Sequence, residues 1–260
     1  MPRKDLKNKP LVEAILEIRW VLPNQEAPGL RLDPHYRILL GRLSERVAGE
    51  YPSHEPLPTS TIPDQMAAHI VQHRFRASPG SWPLLQVGPG IFTINDTSSY
   101  TWSDFQPRCE RAVTTLINSY PAPHDFRLQQ IILRYIDAIP FDFTKDNLFQ
   151  FLRDKMKTTL ALPNNLFDGV PVDCTPSGFK WEVSFPRKNS EGKVTLRFGT
   201  GRQHDQPVLL WETLVVSSVG SKIPKLPDEF SSWLISAHDI TDDWFFKLIE
   251  GDLERRFSGE

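Results

Sequence analysis

The sequence predicts an α+β protein made of two similar β-α-β-β-β-α halves, with antiparallel sheets packed as one compact unit. Three observations carry this expectation. Residues 11–21, opening with "LVEAILEIRW", have apolar even positions, while Glu13, Glu17 and Arg19 occupy odd ones, the period of a half-buried strand. Helical apolar spacing follows, and then short apolar runs separated by glycine and proline turns. The same order of elements begins again near residue 130, so the halves are expected at 1–124 and 125–260.

In the first half, Asp33 stands before Pro34, the pattern of an N-cap followed by proline at the first helical position. Tyr36, Leu39, Leu40, Leu43 and Val47 follow at helical spacing, which predicts a helix over 34–49. Short strands are expected at 67–77, 83–88 and 91–95, the last two joined by the tight turn "GPG". Ser103 and Gln106 have capping-box spacing. Behind them Phe105, Cys109, Ala112, Val113, Leu116 and Ile117 line one face of a helix that stops before Pro121.

In the second half, "QIILRYIDAI" (130–139) reads as a strand and "DNLFQFLRDKMKT" (146–158) as a helix. Strands follow at 179–186, 193–200 and 207–217, joined by the loops "RKNSEG" and "GRQHDQ". A closing helix spans 228–257, with a break expected near Thr241. "ILEIRWVLP" (15–23) echoes "ILRYIDAIP" (132–140), and the matching order of elements is the stronger sign of a doubled build. Each half alone would leave sheet faces and edges uncovered. The helices are expected to cover one face of the sheet.

Composition narrows the function classes. With 39% hydrophobic and 24% charged residues the chain reads as an ordinary globular protein. A formal charge of −2 supplies no general basic field, which argues against nucleic acid as the partner. Cys109 and Cys174 form no zinc motif, and Cys109 reads as a buried thiol in a reducing compartment. The basic start "MPRKDLKNKP" leads into no signal-peptide core, and no run approaches membrane-spanning length. A cytoplasmic location is the expectation.

Five stretches carry a resemblance. They are "NKPLVEAILEIRW" (8–20), "LLQVGPGIFTIND" (84–96), "YTWSDF" (100–105), "LRYID" (133–137) and "WFFKLIEGDLERRF" (244–257). In their order and spacing the chain resembles a sporadically distributed prokaryotic family whose N-terminal signature is N-x-P-L-x-E-A-x-x-E-I-R-aromatic. That family has no settled activity. Its patchy distribution implies mobile or defence-associated gene neighbourhoods. The chain departs from the family at Asp137, where Asn is commoner, and in the acidic pattern around "LLWETLVV".

The chemistry candidates begin with the stripe Glu13, Glu17, Arg19, joined by Arg134 and Asp137 if the leading strands of the halves meet. Same-face residues two apart on a strand lie roughly 6–7 Å apart, so Arg19 reaches Glu17, and Arg134 is expected to pair with Glu17 or Glu13. The stripe is either structural ion pairing that locks the halves in register or a ligand or partner site between them. His69 and His73 have a spacing that suits a metal only on a helix; on a strand they stand about 13 Å apart. His204-Asp205 falls in a hairpin loop, and Asp239 beside His238 reads as an N-cap at the helix break. The tryptophans, Trp82, Trp102, Trp181, Trp211, Trp233 and Trp244 among them, read mostly as packing. "GPG" lacks the lysine and helix of a phosphate loop, and no common hydrolase, kinase or dehydrogenase motif occurs.

The sequence therefore points to a non-catalytic binding protein without a cofactor or metal. Its partner would be another protein, as in a regulatory or accessory subunit of a defence or toxin–antitoxin-like module. The alternative is a sensor for a small molecule such as a nucleotide, held in a polar groove between the halves. A third reading, an enzyme of unfamiliar chemistry, requires a deep pocket holding a carboxyl with a strongly raised pKa. Self-association stays open.

Overall fold

The strand β1 (Leu11–Trp20) shows why its alternating sequence folds as it does. Ala14, Leu16, Ile18 and Trp20 are fully buried, while Glu13, Ile15, Glu17 and Arg19 stay half-exposed on the other face. Burying each large apolar side chain contributes roughly 1.5–3 kcal/mol, so a one-residue slip of register would be costly. The computed structural model describes residues 6–23, 31–97, 99–163 and 165–260. The basic residues at the start of "MPRKDLKNKP" fall within 1–5, outside the described residues.

Along the first half follow α1 (Tyr36–Val47), β2 (Ser53–Pro56), β3 (His73–Arg76), β4 (Leu84–Gly88), β5 (Ile91–Asp96) and α2 (Trp102–Ser119). The second half holds β6 (Leu128–Pro140), α3 (Leu148–Lys155), β7 (Lys180–Pro186), β8 (Lys193–Gln203), β9 (Gln206–Ser218), α4 (Phe230–Ile249) and α5 (Asp252–Ser258). The strands form one antiparallel sheet in the order β2-β3-β4-β5-β1-β6-β9-β8-β7. The architecture is α+β.

Outward from the central β1–β6 pair, each leading strand is flanked by the last strand of its own meander, β5 or β9. The first side carries one strand more than the second. Helices pack on one face. Tyr36, Leu43, Phe105, Leu116 and Leu234 cover β1, β5 and β6, while Leu152, Met156, Leu253 and Phe257 cover β8 and β9. Cys109 is buried in the first of these clusters, and burial pushes its thiol pKa up. Among the described residues no helix is long and apolar enough to cross a membrane.

Several local expectations are corrected. Ser53–Pro56 forms the edge strand β2 inside a proline-rich stretch that reads as loop; its four-residue length and terminal proline suit an edge. The strand expected at 67–77 is confined to His73–Arg76, because His69 adopts a positive φ of 59° and turns its ring to the Trp20 carbonyl, 3.1 Å away. The first helix begins at Tyr36 rather than Pro34. Asp33 still binds the His35 N–H (3.0 Å), but its other oxygen accepts from the Trp20 indole (2.8 Å) and the Gly90 N–H (3.3 Å), which ties the helix entry to the sheet.

No capping box forms at Ser103 and Gln106. The cap residue is Thr101, and the Gln106 amide donates forward to Glu110. The loop "GRQHDQ" reduces to the two-residue turn His204-Asp205, both with positive φ, which matches the twist of the flanking strands. The final helix does not break at Thr241. It runs through to Ile249 and breaks at Gly251, whose φ of 103° suits glycine. Asp239 therefore lies mid-helix and is not an N-cap.

Candidate functional site

The open face of the sheet carries four of the five residues singled out in the sequence. Arg19 Nε donates to Glu17 at 2.6 Å, the expected pair. Glu13 accepts from the Asn95 amide at 2.8 Å. Burial raises the Glu13 pKa, offset by that hydrogen bond and by the guanidiniums of Arg134 and Arg74. Arg134 stands opposite Ile15, between Glu13 and Glu17, yet it makes its ion pair with neither. It donates instead to Glu212 of β9 at 2.8 Å.

That pair belongs to a ladder of polar side chains. On one side Glu212 also accepts from Arg197 (3.4 Å), which donates to Glu182 (2.7 Å) on β7. On the other side Asn95 accepts from Gln86 (3.2 Å), and Gln86 accepts from Arg74 (3.4 Å), which lies 3.7 Å from Glu55 on β2. The ladder runs across the width of the sheet, although the Nε atoms of Arg74 and Arg134 are buried without a hydrogen-bond partner. Between Glu13 and Arg134 the link is attraction through space.

Asp137 lies on the opposite, helix-covered face, so the five residues do not form one constellation. A register shift between Leu11 and Glu13 places Leu11 opposite Asp137. There Leu11, Tyr135 and Asp137 border a cavity of about 480 Å³. Thr213 of β9, Tyr100 just before α2, Trp102 at its start, and His238, Phe245 and Phe246 of α4 also line it.

Two features make this cavity chemically distinctive. The first is a chain of polar groups. The Tyr100 and Tyr135 hydroxyls lie 2.8 Å apart, and the Tyr135 hydroxyl lies 2.9 Å from His238 Nδ1. The Trp102 ring stacks on the His238 ring with centroids 3.6 Å apart. Burial pushes the Tyr135 hydroxyl pKa well up. The second is Asp137 itself. It is only 4% exposed and makes no hydrogen bond or ion pair with any described residue. Burial pushes its carboxyl up to about 8, so the group is mostly protonated at neutral pH.

His69 and His73 do not converge. His73 Nδ1 meets His54 Nε2 at 3.0 Å, and burial followed by the His54 charge lowers the His73 pKa. Among the tryptophans, Trp20, Trp211 and Trp233 are buried, whereas Trp82 is exposed beneath the Arg76 guanidinium. Tyr100, Trp102, Tyr135 and His238 were not apparent as site residues in the sequence. One signal was available: Tyr135 and Asp137 are two apart on a strand and so share a face. Nothing local joins them to His238.

No family model matches the chain, and no curated protein matches it.

Proposed function

We propose that the protein binds a small molecule in the cavity between the β1–β6 pair and helices α2 and α4. One observation carries this reading: the buried Asp137 carboxyl borders the cavity with no partner among the described residues. Burial of this carboxyl is costly and no bond to a described residue offsets it, so its retention at a cavity wall asks for a function. The cavity volume falls in the usual range for small-molecule sites, and its apolar walls with a few polar groups match their make-up. Further support comes from the resemblance: four of its five stretches supply lining residues, namely Lys9–Leu11, Tyr100–Ser103, Tyr135 with Asp137, and Phe245–Phe246.

A protein partner would have the open sheet face, where Arg19 already pairs with Glu17, Arg134 and Arg197 with Glu212, and Arg197 with Glu182. The cytoplasm is the compartment that suits two free cysteines. A thermal-shift screen of metabolites tests the binding reading. A ligand at 100 times its Kd adds about 2.7 kcal/mol, a rise of several degrees for a chain of this size. A library spanning acids, amines, sugars and nucleotides that moves the melting point nowhere would sink it.

A second reading has its own observation. A carboxyl held protonated near neutrality, in a cavity with a tyrosine–histidine chain, is equipped for general-acid chemistry. Its test is turnover of a ligand found in the screen, abolished in Asp137→Asn while binding persists. Binding without any conversion would reject it.

A further inference from the structure

We propose that the cavity accepts an organic amine, whose ammonium pairs with the Asp137 carboxylate while its apolar body lies against Trp102, Phe245 and Phe246. This rests on the reading of the cavity as a ligand site and goes on to specify the ligand's chemistry. Asp137 sits at the β1–β6 pair opposite Leu11 and beside Trp211 on β9, with no described basic group bonded to it. A lone carboxyl in an apolar enclosure lacks one thing, a donor carrying positive charge. An ammonium supplies the charge and the hydrogen bonds together.

The rest of the lining agrees. Aromatic faces attract a cation and cost little to desolvate, and Tyr100, Trp102, Tyr135, Phe245 and Phe246 bring five aromatic rings to the cavity. The Lys9 Nζ is engaged by the Tyr100 carbonyl at 3.0 Å. The volume of about 480 Å³ suits a compact amine with one ring rather than a polyamine chain with several charges.

Proton balance distinguishes this ligand from a neutral one. In the empty site Asp137 holds a proton, since burial pushes it up to about 8. Binding turns the neutral Asp137 carboxyl and the ligand's ammonium into a carboxylate–ammonium ion pair. The carboxyl O–H bond breaks, its electron pair stays on oxygen, and the proton leaves to solvent. Between pH 6 and 7.5 about one proton is released per ligand, and affinity tightens close to tenfold per pH unit. A neutral ligand hydrogen-bonded by the protonated acid behaves oppositely and is lost as pH rises past 8. Among the described residues the other titratable groups at the cavity are Lys9, Tyr100, Tyr135, His238 and Asp242. Their contribution is whatever pH dependence survives in Asp137→Asn.

The experiment is calorimetric titration of the full chain with phenethylamine and benzylamine, in two buffers of different ionisation heat, beside phenethyl alcohol and phenylacetate. Every hit of the metabolite screen is titrated in the same way. The expected result is binding of amines with near-unit proton release, no binding of phenylacetate, and loss of amine binding in Asp137→Asn. A carbon-13 signal of the Asp137 carboxyl moving to its ionised position on adding amine supplies a readout that does not depend on that variant folding. If only neutral or acidic compounds bind in the cavity, or affinity falls as pH rises, the amine assignment is overturned and the ligand site stands. If no compound of either set binds, both fall.

Discussion

The hydroxyl of Tyr135 on β6 lies 2.9 Å from Nδ1 of His238 on α4, a residue 103 positions further along the chain. This bond fastens the long helix to the centre of the sheet at the edge of the cavity, and the Tyr100 hydroxyl extends it to the segment before α2. Removing the shared hydroxyl in Tyr135→Phe takes a buried partner from both neighbours. The expected loss is about 1–3 kcal/mol, seen as a lower urea midpoint with an unchanged slope. An unchanged midpoint would show that the chain carries no structural weight.

Asp137 imposes a pH dependence whose sign follows from its raised pKa. The unfolded carboxyl titrates near 3.9 and the folded one at about 8, so between those values the folded state holds a proton that the unfolded state has released. Its stabilising contribution is therefore complete below about pH 4, is lost as pH rises to 8, and changes no further above that. Asp137→Asn keeps the shape of the protonated acid without titrating. Denaturant unfolding across pH 5–9 should show the variant gaining on the wild type as pH rises. The difference should reach on the order of 5 kcal/mol by pH 8. Parallel curves would mean that Asp137 is ionised in the empty protein.

The polar ladder predicts which charges are coupled. Arg134 and Glu212 are partly shielded, at 33% and 18% side-chain exposure, so a double-mutant cycle should return roughly 0.5–1 kcal/mol of coupling that shrinks in high salt. The same cycle between Arg134 and Glu17 should return close to zero. A larger coupling for Glu17 would place the bridge across the central strand pair after all.

Gly88 is a packing requirement at the end of β4. A Cβ there would overlap the Ile70 carbonyl oxygen, a backbone atom that cannot swing aside as a side chain would. Gly88→Ala should cost several kcal/mol and lower the melting temperature well below that of Gly80→Ala, whose position meets nothing within 4 Å although its positive φ adds strain. Equal losses would mean that the chain near Ile70 yields freely.

Local pattern determined what most segments of this protein become, though not the edge strand at Ser53–Pro56 or the unbroken helix through Thr241. The alternation in "LVEAILEIRW" made β1 a strand with a buried even face, and the helical spacing around Leu39 and Leu43 made α1, because burial of one side is decided within a few residues. It also set the order of elements and the Glu17–Arg19 pair, two residues apart on one face. Tertiary structure decided what faces what. The partner of Arg134 is Glu212 because β9, not β5, lies on the outer side of β6, and pairing between residues 78 positions apart leaves no local trace. The register shift at the start of β1 sets Asp137 and Leu11 opposite each other, behind the sheet from Glu13. Tyr100, Tyr135 and His238 become one site only when the sheet closes under α2 and α4. A strand's two faces are written in its own sequence, but the groups brought against each face come from distant segments.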